Sequence, residues 1–360
     1  MWWSTLIKLK IKGANRKGLE SVKEYYGKVL QSTKDLKTSA CCTAESMPLH
    51  LRSILSEVHE EVKDKFYGCG SPLPFALEGK IVLDLGSGSG RDAFILSKLV
   101  GPNGKVIGVD MTDEQIAVAK KHLDYHTQKF GHSKPNVEFI KGYIEDLEEV
   151  GIKTNSIDLV VSNCVINLSP SKERVFSEIF RVLKPGGELY FSDVFSNRRM
   201  PKHLAEDHVM LGECLGGAMY TEDFRRMMNK MGCADYRMMN NSRITLFNPE
   251  IEKMAGMMEF YSITVRAFKM DLEDRCEDFG QMAIYKGGIK DSEQFFILDD
   301  HHLFEKNKPM AVCGNTANML SQSRYGEYFT IHGDMTHHYG LFDCGPTPTM
   351  TGDSAPGACC

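Results

Sequence analysis

Two cysteines stand where the sequence is expected to deliver polar groups to a binding site. Cys164 ends the apolar run in VVSNCVINL, and Cys214 lies in the Gly-rich stretch LGECLGG. Thiolates serve proteins as nucleophiles or as ligands of soft metals. No CxxC pair occurs in the sequence, which argues against a zinc ribbon and against a thioredoxin-type pair. The question is therefore what ligand or reaction a thiol at Cys164 would serve.

A glycine-rich loop, DLGSGSG at residues 84–90, follows the predicted strand KIVLD and precedes a helical pattern. Glycines let the backbone pass close to a ligand, and the helix start offers unpaired N–H groups. The next predicted strand, VIGVD, ends at Asp110, where a carboxylate can accept both hydroxyls of a ribose. The spacing GxGxG, with Asp84 before it, favours S-adenosylmethionine over a dinucleotide.

These residues need a scaffold whose strands end at one edge. Between Gly79 and about Phe195, short β-branched segments alternate with amphipathic ones, which predicts βαβ units and a mostly parallel sheet covered by helices. We therefore predict an α/β fold, the Rossmann-like sheet of class I methyltransferases, with a helical N-terminal arm and a smaller C-terminal α+β domain. Ligands of such sheets bind beyond the carboxyl ends of the strands.

Changes in composition divide the chain into four predicted segments. The N-terminal helical arm is residues 1–70 and bears Cys41 and Cys69, and the S-adenosylmethionine-binding methyltransferase domain is residues 71–243. The smaller α+β domain is residues 244–344. Residues 345–360 form a tail rich in Gly, Pro, Ser and Thr that contains Cys359 and Cys360, a composition typical of flexible segments.

Ten residues are predicted to form the S-adenosylmethionine site. Asp84 would lie near the amino group of the methionyl part, and Arg91 near its carboxylate. In KGYIEDL, at the end of the third strand, Glu145 would accept a hydrogen bond from the exocyclic amine of the adenine. The full set is Asp84, Gly86, Gly88, Gly90, Arg91, Asp110, Met111, Ile144, Glu145 and Asn163.

The fourth predicted strand ends at Asn163 and Cys164, beside the methyl group of the bound sulfonium if the glycine loop is interpreted correctly. A nucleophilic Cys164 would itself be methylated and inactivated, so we interpret it as a ligand. A soft three-coordinate centre that keeps a lone pair could be held by thiolates and still attack a methyl group. Trivalent arsenic fits this description, whereas zinc has no lone pair to donate.

Two or three thiols must converge on such a centre. Cys214 follows the fifth strand, which ends on the same side of the sheet as Cys164. Cys69 and either Cys41 or Cys42 belong to the N-terminal arm, which could fold over the cofactor face. Methylation formally oxidises arsenic, and a pair of cysteines could return two electrons by forming a disulfide that thioredoxin or glutathione would reduce. No general base and no metal cofactor are expected.

Over about residues 18–290 the sequence resembles the eukaryotic type of arsenite methyltransferases. The similar stretches are YYGKVL, HEEVKDKFYGCG, KIVLDLGSGSG with RD following, DYHTQKFG, GYIEDL, VVSNCVINL, GGELYFSDV and GECLGGA. SNCVINL and GECLGG are highly specific, whereas the glycine loop alone would not be. The resemblance implies methyl transfer from S-adenosylmethionine to thiolate-bound trivalent arsenic, as part of arsenic detoxification.

The resemblance also implies roles for individual cysteines. Cys164 and Cys214 bind the arsenic, Cys69 joins as a third ligand, and Cys41 forms a disulfide with Cys69 during turnover. Cys41 matches the family's motif better than Cys42 because it follows DLKTSA. The tail pair at 359 and 360 resembles the cysteine-bearing end of the family, either as a relay of reductant or metalloid or as a tail without a role.

Charge and composition limit the partners. The net charge of −5 argues against a nucleic-acid binder, and no apolar run reaches the ~18 residues of a membrane span. Eleven cysteines without a secretory signal indicate free thiols in a reducing compartment. We therefore expect a cytoplasmic monomer that takes arsenite or its glutathione conjugate; a basic N-terminus leaves an organelle signal as an alternative.

Two other functions remain open from the residues alone. The first is a methyltransferase acting on carbon, nitrogen or oxygen of an organic molecule, with the cysteines as packing residues. The second is a thiol protein that buffers or senses metals and binds them without turnover. Transfer of a labelled methyl group to arsenic would distinguish the first prediction from both alternatives.

Overall fold

An eight-stranded sheet forms the centre of the molecule in the computed structural model, which describes residues 23, 47–66, 68, 70–207, 210–211 and 214–344. Its strands are β1 Ile81–Leu85, β2 Lys105–Asp110, β3 Val137–Lys141, β4 Ile157–Asn163, β5 Leu183–Ser196, β6 Met219–Tyr220, β7 Tyr236–Arg243 and β8 Phe260–Phe268. The order across the sheet is β3-β2-β1-β4-β5-β8-β7, and β6 pairs with β5.

Strands β1 to β6 pair in parallel, whereas β8 runs antiparallel to both β5 and β7. The predicted α/β fold with a mostly parallel sheet is therefore confirmed. In a parallel array the carboxyl ends of β1, β2, β3 and β4 meet at one edge, so the turns that follow these strands surround one space.

Helices cover both faces of the sheet. They are α1 Leu49–Glu57, α2 Glu60–Asp64, α3 Arg91–Val100, α4 Asp113–Lys121, α5 Leu123–Lys129, α6 Lys172–Val182, α7 Lys202–Ala205, α8 Thr221–Lys230, α9 Pro249–Ala255 and α10 Gly314–Ser321, with 3₁₀ turns at Ile166–Leu168 and Gly326–Tyr328. Apolar stripes of α1, α3 and α4 pack on one face, and those of α6 and α8 pack on the other. Most strand residues from both faces are buried, as expected for a parallel sheet.

A smaller lobe follows β8. Its strands are β9 Glu277–Asp278, β10 Gln281–Tyr285, β11 Phe295–Ile297, β12 Leu303–Glu305, β13 Pro309–Val312, β14 Phe329–His332 and β15 Gly340–Leu341. They form a three-stranded sheet, β13-β10-β14, and two two-stranded ones, β11-β12 and β15-β9. Phe296, Phe304 and Phe329 pack with Tyr285 and Tyr325 in the core of this lobe.

The boundary between the two domains lies later than predicted. The segment after residue 243 was assigned to the smaller domain, but β8 lies between β5 and β7 in the main sheet. The sequence pattern of SITVRAF predicts a strand but does not indicate which strand it pairs with. In the structure it pairs with β5, from Glu188 opposite Phe268 to Ser196 opposite Phe260. The smaller lobe therefore begins after Phe268.

A buried ionic network joins the lobes. Arg266 of β8 donates to Glu188 of β5 at 2.6 Å, and the two side chains are 1% and 0% exposed. Arg324 also pairs with Glu188, while Arg266 donates to the carbonyl oxygen of Ile297. Since a buried charge without its partner is costly, this network fixes the orientation of the smaller lobe on the sheet.

No helix in the described ranges is both long and apolar enough to cross a membrane.

Candidate active site

A cleft lies at the carboxyl ends of β1 to β4. Eight of the ten predicted cofactor residues line it: Asp84, Gly86, Gly88, Asp110, Met111, Ile144, Glu145 and Asn163. Cys164 lines it as well. The residues at the strand ends thus share one space, as the topology of the sheet requires.

The glycine loop forms the floor of this cleft. Gly86, Gly88 and Gly90 have φ values of +69°, +52° and +93°, a backbone conformation that side chains disfavour. A Cβ atom on Gly90 would lie 2.7 Å from the ring of Phe139. Gly90 is therefore needed for the conformation of the turn and for its packing against Phe139, and it does not form part of the cleft surface.

Asp110 holds the loop in place. One carboxylate oxygen accepts from the backbone N–H of Gly88 at 3.0 Å, and the other accepts from that of Thr112 at 2.8 Å. Burial raises the pKa of Asp110, while these backbone hydrogen bonds oppose the increase. Because each carboxylate oxygen has two acceptor sites, Asp110 retains capacity to bind hydroxyl groups of a ligand.

Asp84 is the most unusual acid of the cleft. Its side chain is buried, and its Oδ2 has no hydrogen-bond partner within the part of the chain that the structure describes. Burial, together with the charges of Asp92 and Asp110, raises the pKa of Asp84 well above its usual range. An unpartnered buried carboxyl oxygen fits a ligand that brings a cationic donor, such as the ammonium group of S-adenosylmethionine.

Arg91 has a different position from the predicted one. It does not line the cleft; its Nε donates to Asp92 at 2.8 Å, and its guanidinium lies 3.1 Å from the centre of the Phe66 ring. Sequence reasoning overlooked this ion pair with the next residue, and the predicted contact of Arg91 with the cofactor stays a prediction. Asp92 itself lines the cleft, and the RD pair after the glycine loop was the available signal.

Asn163 forms hydrogen bonds between the cleft and Gly70, in the segment that precedes the main domain. Its amide nitrogen donates to Asp92 and to the carbonyl oxygen of Gly70, both at 2.9 Å. Its amide oxygen accepts from the N–H of Gly70 at 3.2 Å. Asn163 therefore fixes residue 70 against the edge of the sheet, in addition to lining the cleft.

The predicted adenine edge lies on the far side of the cleft. Glu145 and Ile144 are both buried there. The hydroxyl of Ser169 donates to Glu145 at 2.5 Å, and Ser169 also lines the cleft. Ser169 is not among the residues predicted from the sequence, so its role beside Glu145 is visible only in the structure.

The two predicted arsenic ligands on the main domain lie side by side. The sulfur of Cys214 is 3.5 Å from the backbone oxygen of Cys164, and both residues are 1% exposed. Both have positive φ, +56° for Cys164 and +60° for Cys214. Such a conformation costs a non-glycine residue about 1–3 kcal/mol and is concentrated at functional sites. The fold thus places two strained thiol residues together.

Gly217 lets the segment of Cys214 approach. A Cβ atom at this position would lie 2.0 Å from the carbonyl oxygen of Asn167, in the 3₁₀ turn that follows Cys164. A glycine is required here because the two backbones are in close contact, and not because of its φ angle. The specificity of GECLGG in sequence therefore has a physical basis in this contact.

A buried acid supports the turn after Cys164. Asp193 of β5 accepts from the backbone N–H of Asn167 at 3.0 Å, and burial raises the pKa of Asp193 to about 7. The ammonium of Lys172 donates to the backbone oxygen of Asn167 at 3.1 Å. Sequence reasoning missed both residues, although SDV at the end of a strand was a signal.

The remaining predicted cysteines can be placed only in part. Cys164 takes part in a disulfide, whereas Cys214 does not. The predicted third ligand Cys69 and the predicted redox residue Cys41 lie outside the described residues, as do Cys42 and the tail pair 359–360. The roles of these cysteines therefore stay predictions.

Comparison with known proteins first defines the class. A family model described as a methyltransferase domain matches residues 77–232, which span the sheet strands from β1 to the end of α8. A second family model, the arsenite methyltransferase C-terminal domain, matches residues 280–350. The fold and the cleft are those of the class I S-adenosylmethionine-dependent methyltransferases, as predicted.

Individual relatives then define the family. An arsenite methyltransferase from Aquipseudomonas alcaligenes is 50% identical over 95% of this chain and 99% of its own length. That of Homo sapiens is 45% identical over 87% of this chain and 83% of its own length. A crystal structure of an arsenic(III) S-adenosylmethionine methyltransferase from Chlamydomonas reinhardtii is 50% identical, with a TM-score of 0.80, over 83% of this chain and all of that one.

The chain belongs to the arsenite methyltransferase family. The family predicted from SNCVINL and GECLGG is thereby confirmed, and the alternative of an organic substrate loses its basis.

Proposed function

We propose that the protein transfers methyl groups from S-adenosylmethionine to trivalent arsenic held by Cys164, Cys214 and Cys69, as part of arsenic detoxification. The observation that carries this proposal is the contact between Cys214 and Cys164 at the edge of the cleft. Both residues pack in one apolar cluster, and packing alone does not require the positive φ that both of them adopt beside the cleft. Membership of the family supports the same substrate.

The residues of the cleft fit the methyl donor. Asp84 would accept from its ammonium group, Asp110 from its ribose hydroxyls and Glu145 from its adenine amine, while the glycine loop admits it to the sheet edge. Bound S-adenosylmethionine supplies a methyl group on a positively charged sulfur. Cys164 lines the same cleft, so a metalloid on its sulfur would be adjacent to that methyl group.

The thiols bind and orient the substrate. Arsenite would exchange its hydroxyl groups for protein thiols, releasing one water for each As–S bond formed, and its lone pair would remain free. The cysteine pair is buried among apolar residues that include Val194, Leu215 and Phe260. Exclusion of water favours a reaction in which the charge of the donor disappears.

Redox chemistry has to precede and follow this step. Because Cys164 is disulfide-bonded here, two electrons from an external thiol must open the disulfide before Cys164 can bind arsenic. Methylation formally raises arsenic to the pentavalent state, and a pair of protein cysteines would return it to the trivalent state. We propose thioredoxin or glutathione as the reductant and the disulfide of Cys41 with Cys69 as the intermediate oxidised form.

The test is the substitution Cys164→Ser in reduced protein. Methyl transfer from labelled S-adenosylmethionine to arsenite should be abolished, while binding of S-adenosylmethionine changes less than about twofold. The matched control is Cys233→Ser, a free buried cysteine that lies outside the cleft. This control should retain methyl transfer. Normal turnover by the Cys164 variant would refute the proposed site.

Further features of the proposal concern partners and location. We propose arsenite or its glutathione conjugate as the substrate, and a monomer that works in the cytoplasm. The cysteines at 214, 233, 276, 313 and 344 are not disulfide-bonded, which supports a reducing compartment. Gel filtration with light scattering would test the monomer.

A further inference from the structure

Three cysteines that sequence reasoning left without a role meet in the smaller lobe. The sulfur atoms of Cys276, Cys313 and Cys344 all lie within 4.8 Å of one another, and none of the three is disulfide-bonded. Cys276 and Cys313 are buried, and Cys344 is half-buried. We refer to these residues as the thiol triad.

The pairing of short strands assembles the triad. Cys276 directly precedes β9, and Cys344 lies three residues after the end of β15, so the antiparallel pair β15-β9 brings both ends together. The N–H of Phe342 donates to the carbonyl oxygen of Cys276 at 2.8 Å. Cys313 stands at the N-cap of α10 and completes the group. The three cysteines are far apart in sequence, so the fold positions them independently of local spacing.

Hydrogen-bond donors converge on the central sulfur. The N–H of Thr316 lies 3.4 Å from the sulfur of Cys313, and the hydroxyl of Thr316 lies 3.2 Å from it. The buried guanidinium of Arg237 lies 3.9 Å away and also pairs with Asp235 and Asp299. A cation and a helix start favour the thiolate, which is the form that binds metals and metalloids.

The triad is distinct from the candidate active site. None of its members lines the cleft of the glycine loop. A second cleft adjoins it, lined by Glu277 next to Cys276 and by Gly314 next to Cys313. A small ligand in this second cleft would be one residue away from the triad and outside the methyltransferase cleft.

The number of cysteine ligands in the triad distinguishes between zinc and trivalent arsenic as the bound ion. Within the described part of the chain, no histidine, carboxylate or other cysteine joins the group as a fourth ligand. Structural zinc sites are almost always four-coordinate, with Zn–S bonds of about 2.3 Å. Trivalent arsenic is satisfied by three sulfurs. Bonds of about that length require sulfurs about 4 Å apart or less, so the triad needs only a small contraction.

We propose that the thiol triad is a second binding site for trivalent arsenic, separate from the site of methyl transfer. Three hydroxyl groups of arsenite would exchange for three thiols, with release of three waters and no change in oxidation state. No reductant or oxidant is needed. The site would hold the metalloid in the smaller lobe whether or not the proposed methyl transfer occurs at Cys164.

The experiment measures arsenic bound per chain in fully reduced protein, with arsenite as the only added ligand. The background is the Cys164→Ser/Cys214→Ser double variant, which lacks the proposed catalytic ligands. Mass spectrometry of arsenic after desalting should show that adding Cys313→Ser removes about one further equivalent. Adding Cys233→Ser instead, as the matched control, should remove none. X-ray absorption of the background protein should show arsenic with three sulfur neighbours.

A second substitution guards against a folding defect, because Cys313 is fully buried. Cys344→Ser, at the half-buried member, should remove the same equivalent while leaving the thermal unfolding temperature nearly unchanged. Equal arsenic in the background and in both triad variants would overturn the proposal. Zinc that binds the reduced triad at one equivalent and blocks arsenite would overturn it as well. Loss of methyl transfer in Cys164→Ser with retained triad binding would separate the two proposals.

Discussion

Replacing Gly217 by alanine should separate the two thiols of the proposed arsenic site without touching either. The new Cβ atom would lie 2.0 Å from the carbonyl oxygen of Asn167 and 2.8 Å from its carbonyl carbon. Both atoms belong to the backbone of the turn that follows Cys164, so neither can rotate away. The segment that carries Cys214 must shift outward by about 1 Å to restore ordinary contact.

The size of the effect follows from the cost of this contact. Overpacking of a tightly packed site costs about 1–3 kcal/mol. The free variant relieves the contact by shifting, but binding of arsenic draws Cys214 back to Cys164 and restores the cost. Since about 1.4 kcal/mol is a factor of ten, arsenite affinity should fall by roughly 5- to 150-fold. S-adenosylmethionine affinity should change by less than about threefold, because Gly217 does not line the cleft.

The assay is titration of reduced protein with arsenite and, separately, with S-adenosylmethionine. Gly232→Ala is the control, because its Cβ atom would meet nothing within 4 Å although its φ of +80° strains the backbone. This control should lose some stability and keep its arsenite affinity. A folded Gly217→Ala protein that binds arsenite as tightly as the wild type would show that the approach of Cys214 to Cys164 is not needed.

Three further predictions concern the cofactor cleft, the packing and the junction of the lobes. Asp84→Asn should weaken S-adenosylmethionine binding by about 10- to 150-fold, the value of a charge-assisted hydrogen bond of about 1.5–3 kcal/mol; an unchanged dissociation constant in calorimetry would remove Asp84 from the site. Burial lowers the pKa of His126 from 6.5 to about 4, and the charges of His122 and His59 act in the same direction, while the hydrogen bond with the backbone oxygen of His122 opposes the decrease. As the pH falls, the unfolded chain therefore binds the proton before the folded one. This contribution to stability is complete above pH 6.5 and is lost as the pH falls through about 4. The free energy of unfolding of His126→Phe in urea should depend less on pH than that of the wild type, and an equal dependence would contradict this. Arg266→Met should lower the free energy of unfolding by about 3–5 kcal/mol, because it removes one of the two arginines that pair with the buried carboxylate of Glu188; a loss below about 1 kcal/mol in denaturant unfolding would argue against the network.

Much of the main domain could be predicted from sequence because its signals are local. The strand KIVLD, the glycines after it and Asp110 at the next strand end each depend on neighbours in the chain. Parallel topology then requires these strand ends to meet. The cleft with Asp84, Asp110 and Glu145 follows from that rule alone, which is why most of the predicted cofactor residues line it.

Side-chain directions did not follow in the same way. Arg91 pairs with Asp92 rather than reaching the cleft, and Ser169 donates to Glu145 across the site. Both contacts depend on the angles at which separate elements pack. A sequence pattern indicates which face of an element a residue occupies. It contains no information on which of several nearby groups forms a hydrogen bond with that residue.

The sequence by itself determined the mostly parallel arrangement of the main sheet, the glycine loop and the family, since these rest on periodicity, turn residues and specific short motifs. Only the tertiary structure decided that β8 belongs to the main sheet and that Cys276, Cys313 and Cys344 meet in the smaller lobe. Contacts of this kind join residues that are tens of positions apart. They depend on how whole elements pack, and no local spacing in the chain encodes that distance.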